Sequence, residues 1–171
     1  VLSVYKDDEE QALKNYMSYL NQMGVTAVGD VALTGESPDD IVYPELYAKV
    51  EKEATVRVSF FPAMREVVEQ NRELYKNYRS EMLQMGGVKQ FYDGVTSSHT
   101  AYLKEPYPMP FFEGDVGGPL LTEEKMERLT LLANKEGWPM RIHTVGDKAI
   151  ALTLQNFKKA QEKTPFDAPY K

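Results

Sequence analysis

The sequence predicts an α/β protein with about four parallel strands, each followed by a helix. Short apolar runs centred near residues 28, 58, 89 and 142 have the composition of buried strands. Segments with apolar residues at helical spacing separate these runs. The first two strand-to-strand intervals are each about 30 residues, the length of a strand–helix–strand unit. Such alternation predicts parallel strands covered by helices.

A helix and a strand open the chain. Asp7 and Asp8 are good N-caps for a helix ending near Met23, and Gly24 suits the position just past its end. The β-branched run over residues 25–31 predicts a buried strand.

Two helices flank the second strand. Apolar spacing predicts a helix over residues 41–53, and alternation predicts a strand over 55–61 that Pro62 ends. The polar, Tyr-containing segment 64–85 predicts a helix, which Gly86-Gly87 breaks.

A third strand is predicted over residues 88–94. The Pro-, Gly- and aromatic-rich loop over 95–121 is much longer than a typical connection and is therefore suspected of function. Within it, Glu113–Gly118 lacks the strand and glycine spacing of a phosphate-binding loop, which favours a mobile lid.

The last predicted elements are a helix, a strand and a second helix. Thr122 caps the first helix and Gly137 ends it. Residues 139–145 predict the fourth strand, and Asp147 caps a helix that runs to about Lys163. Either a doubly wound open sheet or half of an eight-stranded barrel satisfies this order, and both gather functional groups at the C-terminal ends of strands.

Composition excludes several classes of protein. The 171 residues, 42% of them hydrophobic, are enough for one domain with one core. A net charge of −6 argues against nucleic acid or an anionic membrane as partner. The absence of cysteine excludes disulfides, a thiolate nucleophile and Cys-ligated zinc. No apolar run approaches the roughly 18 residues that cross a bilayer.

The chain begins at Val1, with neither an initiator Met nor a signal-peptide pattern. We therefore expect it to be a segment of a longer protein. Localisation stays open: the lack of cysteine favours the cytoplasm, and an upstream signal peptide would make the protein secreted.

Lys89 and His143 are the polar side chains that stand out within strands. A strand lysine in a barrel lumen must find an anion, act as a base of lowered pKa or be carbamylated; the alternative is a salt bridge with Asp93 or Asp30. His143 is either a hydrogen-bonded core histidine or a metal ligand. The loop residue His99 is either solvated or in contact with substrate or metal.

Five segments together resemble the amidohydrolase superfamily, in the branch that includes N-substituted formamide deformylase and exoenzyme regulatory proteins. They are residues 24–30, residues 88–94, the stretches 98–101 and 103–107 that follow these in the same block, and residues 142–149. The resemblance implies a (β/α)8 (TIM) barrel, of which residues 1–171 would be a single, incomplete domain containing family strands 2–5.

The resemblance also implies a function. It predicts hydrolysis of a non-peptide, amide-type C–N bond of a small molecule by metal-activated water, with one or two divalent ions, usually zinc. Lys89 matches the fourth-strand lysine, which can be carboxylated and bridge two metals, and His143 matches the fifth-strand histidine ligand. His99 and Asp93 are the predicted contacts with substrate.

The family's first-strand His-x-His pair, sixth-strand histidine and eighth-strand aspartate have no counterpart in the chain. We therefore expect the isolated chain to be inactive, to hold no catalytic metal alone, and to form homo-oligomers through exposed barrel edges. The alternative is a complete small α/β module that binds a ligand or regulates a partner without catalysis.

Overall fold

The computed structural model describes residues 9–31 and 43–165. Within these ranges the chain forms helices and short strands in alternation. They are α1 (Glu9–Gln22), β1 (Ala27–Val31), α2 (Pro44–Val50), β2 (Arg57–Phe61), α3 (Glu69–Asn77), β3 (Leu83–Met85), β4 (Val88–Phe91), α4 (Glu123–Lys135), β5 (Met140–His143) and α5 (Asp147–Lys163), with 3-10 turns at Glu51–Glu53 and Thr96–Ser98.

The described residues fall into two compact units. The first contains residues 9–31, 43–62 and 67–86, and the second contains 63–66 and 87–165. The expectation of a single domain stays a prediction.

The first unit is built on a parallel sheet with the strand order β1-β2-β3. Val58 pairs with Val28 on one side and with Leu83 on the other. The side chains of Val58 and Phe60, which lie on one face of β2, are almost completely buried, whereas Arg57 on the opposite face is exposed.

The predicted helix over residues 64–85 is wrong in its second half. The helix α3 ends at Asn77, and Leu83–Met85 form β3. Pairing with β2 satisfies backbone hydrogen bonds of Leu83–Met85, and the side chains of Leu83 and Met85 are buried. These tertiary interactions outweigh the local preference of the segment for helix. The described residues thus contain five strands, where about four were predicted.

The second unit contains the parallel pair β4–β5, and the helices α4 and α5 pack together. The side-chain amide of Asn134 on α4 donates to the carbonyl oxygens of Ala160 (3.0 Å) and Thr164 (2.7 Å) at the end of α5. Met126 and Leu129 of α4 are buried and form part of this unit's core.

Most predicted helix ends are confirmed. The Thr122 side chain accepts from Lys125 N at 3.2 Å, and Gly24 and Gly137 follow their helices with φ values of 76° and 73°. The N-cap of α5 is Gly146 instead of Asp147, which occupies the first helical position. The predicted caps Asp7 and Asp8 and the predicted helix start at residues 41–42 lie outside the described residues.

The predicted α/β class, with parallel strands and flanking helices, is confirmed. None of the helices in the described ranges is long and apolar enough to cross a membrane.

Candidate active site

The register of β4 against β5 places Lys89 and His143 on one face of the sheet. Lys89 pairs with Arg141, and Phe91 pairs with His143. Paired residues of parallel strands point to the same side, as do residues two apart along a strand. The phenyl ring of Phe91 therefore lies beside both Lys89 and His143, with which it also makes ring contacts.

The Lys89 side chain is buried without a carboxylate partner among the described residues. Lys89 is 8% exposed. Its Nζ donates to the Gln90 carbonyl oxygen at 3.1 Å and lies 3.8 Å from the centroid of the Phe91 ring. Desolvation lowers the pKa of Lys89 to about 8. The amine is therefore within reach of its neutral, nucleophilic form, and the predicted alternative of a salt bridge with Asp93 does not form.

The His143 ring is fixed by a main-chain oxygen. Its Nε2 lies 3.0 Å from the carbonyl oxygen of Gly94, and its ring centroid lies 5.0 Å from that of Phe91. Because a carbonyl oxygen only accepts, Nε2 must carry a hydrogen, and the neutral ring then has its lone pair on Nδ1. A hydrogen bond from one ring nitrogen to a carbonyl is the usual way in which a protein orients a metal-binding histidine.

The Asp93 carboxylate connects the end of β4 to two other segments. It is fully buried and accepts from the backbone N–H groups of Tyr102 (2.8 Å), Val145 (2.9 Å) and Gly146 (2.7 Å). These bonds link the long loop and the N-terminus of α5 to β4. Contact of Asp93 with a substrate stays a prediction.

His99 lies in a cluster of its own within the long loop. Its Nδ1 is 2.7 Å from Oδ2 of the buried Asp115, and its ring is stacked between Tyr107 (4.1 Å) and Phe111 (3.9 Å). The hydrogen bond from His99 holds the pKa of Asp115 below its ordinary value. His99 is thus held by its neighbours and not freely solvated, and its contact with substrate stays a prediction.

The loop over residues 95–121 has a regular internal architecture. Leu103 N donates to Val116 O (2.8 Å) and Tyr107 N donates to Asp115 O (2.9 Å), so the two sides of the loop are joined. The Asp115 side chain also accepts from Phe111 N and from Gly117 N, and the second of these bonds lies within the stretch predicted to be a mobile lid.

Two residues of these clusters were not singled out from the sequence. Phe91 lies two positions after Lys89 in the same strand, so strand periodicity could have placed its ring next to the amine. Asp115 carried no comparable signal, because its partner His99 lies sixteen residues earlier in an irregular loop.

The donors on the β4–β5 face fit part of a metal site. Lys89, as a neutral or carboxylated amine, and Nδ1 of His143 are donor types that divalent zinc accepts. Across the described ranges, no group of three or more His, Cys, Asp or Glu side chains is arranged to hold a metal. Further ligands are therefore needed to complete such a site.

Fold and site together define an α/β protein whose parallel strands present an amine and an imidazole from one sheet face. The chain belongs to the amidohydrolase family, whose model matches residues 3–170. This confirms the resemblance to that superfamily.

Two relatives are similar in sequence. Protein LONG AFTER FAR-RED 3 of Arabidopsis thaliana is 30% identical over 167 residues, covering 92% of this chain and 28% of the relative. The exoenzymes regulatory protein AepA of Pectobacterium carotovorum subsp. carotovorum is 26% identical over 161 residues, covering 90% of this chain and 32% of the relative.

Two solved structures share the fold. Uncharacterized metal-dependent hydrolases from Pyrococcus horikoshii OT3 and Pyrococcus furiosus superpose with TM-scores of 0.68 and 0.70, each at 24% identity. The matches cover 90% and 91% of this chain, and 30% and 32% of those structures. The chain thus spans about a third of the length of the proteins that it matches.

Proposed function

We propose that the protein is part of a metal-dependent hydrolase that cleaves a non-peptide, amide-type C–N bond of a small molecule. The observation that carries the proposal is the pair of donors on one sheet face: the buried amine of Lys89 and the oriented imidazole of His143, both in contact with the Phe91 ring. Family membership supports hydrolysis in general; the C–N bond and zinc are the finer part of the proposal.

Each donor has a defined task in this proposal. His143 presents the lone pair of Nδ1, because its Nε2 hydrogen is bonded to Gly94. Lys89 binds either as the neutral amine or after carboxylation, which requires the unprotonated amine that desolvation favours. One or two zinc ions held there would lower the pKa of water and polarise the scissile carbonyl group.

The two donors are too few for a catalytic zinc site, which generally has three protein ligands. We propose that the missing ligands lie outside the described residues and that residues 1–171 alone do not turn over substrate. Metal-dependent amidase activity of the purified 171-residue chain would contradict this part of the proposal.

Metal binding tests the roles of the two donors. We expect the chain to bind Zn²⁺ weakly in equilibrium dialysis at pH 8.5, and we expect Lys89→Ala and His143→Ala each to lower the affinity about tenfold or more. His99→Ala is the matched control, because it removes the chain's other histidine, whose Nδ1 is bonded to Asp115. Wild-type affinity in both site variants would refute the proposed ligands and favour the alternative of a non-catalytic binding module.

We also propose that the protein forms homo-oligomers through sheet edges. Within the described ranges, β1 pairs only with β2, and β5 pairs only with β4, so each has one unpaired edge. Exposed strand edges readily pair with another chain. A monodisperse monomer in light scattering would contradict this proposal.

A further inference from the structure

We propose that Asp93 is a positioning residue, which holds His143 in the form that carries hydrogen on Nε2 and thereby directs the lone pair of Nδ1 toward the metal. The proposal rests on the proposed function for the identity of the ligand. Its structural part, the control of one tautomer by a buried carboxylate, is independent of any metal.

The tautomer of His143 depends on where one carbonyl oxygen lies. Gly94 O accepts from Nε2 at 3.0 Å. If this carbonyl group were displaced, no hydrogen bond would favour a hydrogen on Nε2 over a hydrogen on Nδ1. Gly94 directly follows Asp93 in the chain, and its two peptide groups are also held by Thr100, whose carbonyl oxygen accepts from Gly94 N at 3.0 Å and whose Oγ1 accepts from Val95 N at 2.9 Å.

Asp93 connects the chain next to Gly94 to the chain that follows His143. Its Oδ1 accepts from Val145 N, and its Oδ2 accepts from Gly146 N; these residues lie two and three positions after His143, where β5 ends. Tyr102 N also donates to Oδ2, so the carboxylate receives three N–H groups from two segments. The same side chain therefore ties residue 93, next to the Gly94 carbonyl, to the segment that follows His143.

The position of the carboxylate also suits the N-terminus of α5. Gly146 is the N-cap of this helix, and its N–H points to Asp93. A negative charge is stabilised at a helix N-terminus. An amide in place of the carboxylate would turn an NH2 group toward at least one of the three N–H donors, because donors approach both oxygens.

The test is the tautomer of His143 in the metal-free chain, read from imidazole ¹⁵N shifts at a pH where the ring is neutral. The chain has two histidines, so the two rings are easily assigned. We expect the wild type to carry hydrogen on Nε2 of His143. In Asp93→Asn we expect the ratio of the Nδ1–H to the Nε2–H form to rise about tenfold.

Asp115→Asn is the matched control. Asp115 is also buried in the second unit and also accepts three hydrogen bonds, from His99, Phe111 and Gly117. We expect this variant to leave the His143 tautomer unchanged and to change that of His99, which distinguishes positioning from a general loss of stability.

Three results would overturn the proposal: an Nδ1–H tautomer of His143 in the wild type, an unchanged ratio in folded Asp93→Asn, or an equal shift in Asp115→Asn. If circular dichroism shows that Asp93→Asn does not fold, Asp93→Glu takes its place with the same expected and contrary outcomes. Because the readout needs neither metal nor substrate, its failure would leave the hydrolase proposal standing, and loss of the hydrolase proposal would leave the tautomer result unaffected.

Discussion

The clearest consequence of the buried amine is that replacing Lys89 should stabilise the protein in a pH-dependent manner. Desolvation moves the pKa of Lys89 from 10.5 to about 8. At about 1.4 kcal/mol for each pKa unit, burial destabilises the charged form of the amine in the folded protein by about 3 kcal/mol. Methionine, which has a similar shape and packs well against aromatic rings, removes the charge.

The sign follows from proton binding. Between about pH 8 and pH 10.5 the unfolded chain still holds the lysine proton while the folded chain has released it, so the stability of the wild type rises with pH in this window. Methionine does not titrate. The stability of Lys89→Met relative to the wild type should therefore be greatest below pH 8 and fall by about 3 kcal/mol as the pH approaches 10.5.

Loss of the hydrogen bond to the Gln90 carbonyl oxygen lowers the free energy of unfolding of the variant by about 1 kcal/mol at every pH. We therefore expect Lys89→Met to be about 2 kcal/mol more stable than the wild type at pH 7 and about 1 kcal/mol less stable near pH 10.5. Urea unfolding of both proteins across this range measures the difference, in buffer freed of CO2 so that the amine is not carboxylated.

Lys158→Met provides the control, since the Lys158 side chain is 77% exposed and makes only a long ion pair with Glu162 among the described residues. We expect a change within about 0.5 kcal/mol at each pH. A difference between Lys89→Met and the wild type that is constant from pH 7 to pH 10.5, or that grows in favour of the variant, would refute the account of Lys89 as an amine destabilised by burial.

Two further predictions concern packing in the second unit. Gly146→Ala should lower the free energy of unfolding by roughly 3 kcal/mol, because the added Cβ would lie 1.9 Å from the Tyr102 carbonyl oxygen. Thermal unfolding measures this loss. The control is Gly118→Ala, where an added Cβ meets nothing within 4 Å, and an equal loss of stability there would contradict the steric reason. Leu129→Ala should lower the free energy of unfolding by about 2–5 kcal/mol, because it leaves a cavity in the core. Leu120→Ala, at a residue that is 60% exposed, should change the free energy of unfolding in urea little. Similar losses in both variants would show that the core of α4 is not packed as described.

Much of the secondary structure could be predicted from local patterns. The run over residues 25–31 and the strand that contains His143 were recognised because β-branched and apolar residues cluster there. Thr122 and Gly137 marked the ends of α4 because capping depends on the side chain and φ of single residues. The segment at Leu83–Met85 was missed, because its strand exists only through pairing with β2.

The candidate site divides in the same way. The sequence identified Lys89 and His143 as unusual strand residues, since a charged or imidazole side chain among apolar neighbours is visible without a structure. It left open whether Lys89 forms a salt bridge, and the structure shows that the Asp93 carboxylate is instead occupied by three backbone N–H groups. Those bonds join residues far apart in the chain, so no local pattern could reveal them.

The sequence by itself determined the order of strands and helices apart from β3, the parallel α/β class and the residue types able to bind a metal, because these depend on periodicity and on the chemistry of single side chains. Only the tertiary structure decided that Lys89, Phe91 and His143 share one face, that Gly94 orients the imidazole and that Asp93 connects the segments around it. Register and long-range hydrogen bonds decide these features, and both arise only when distant parts of the chain meet.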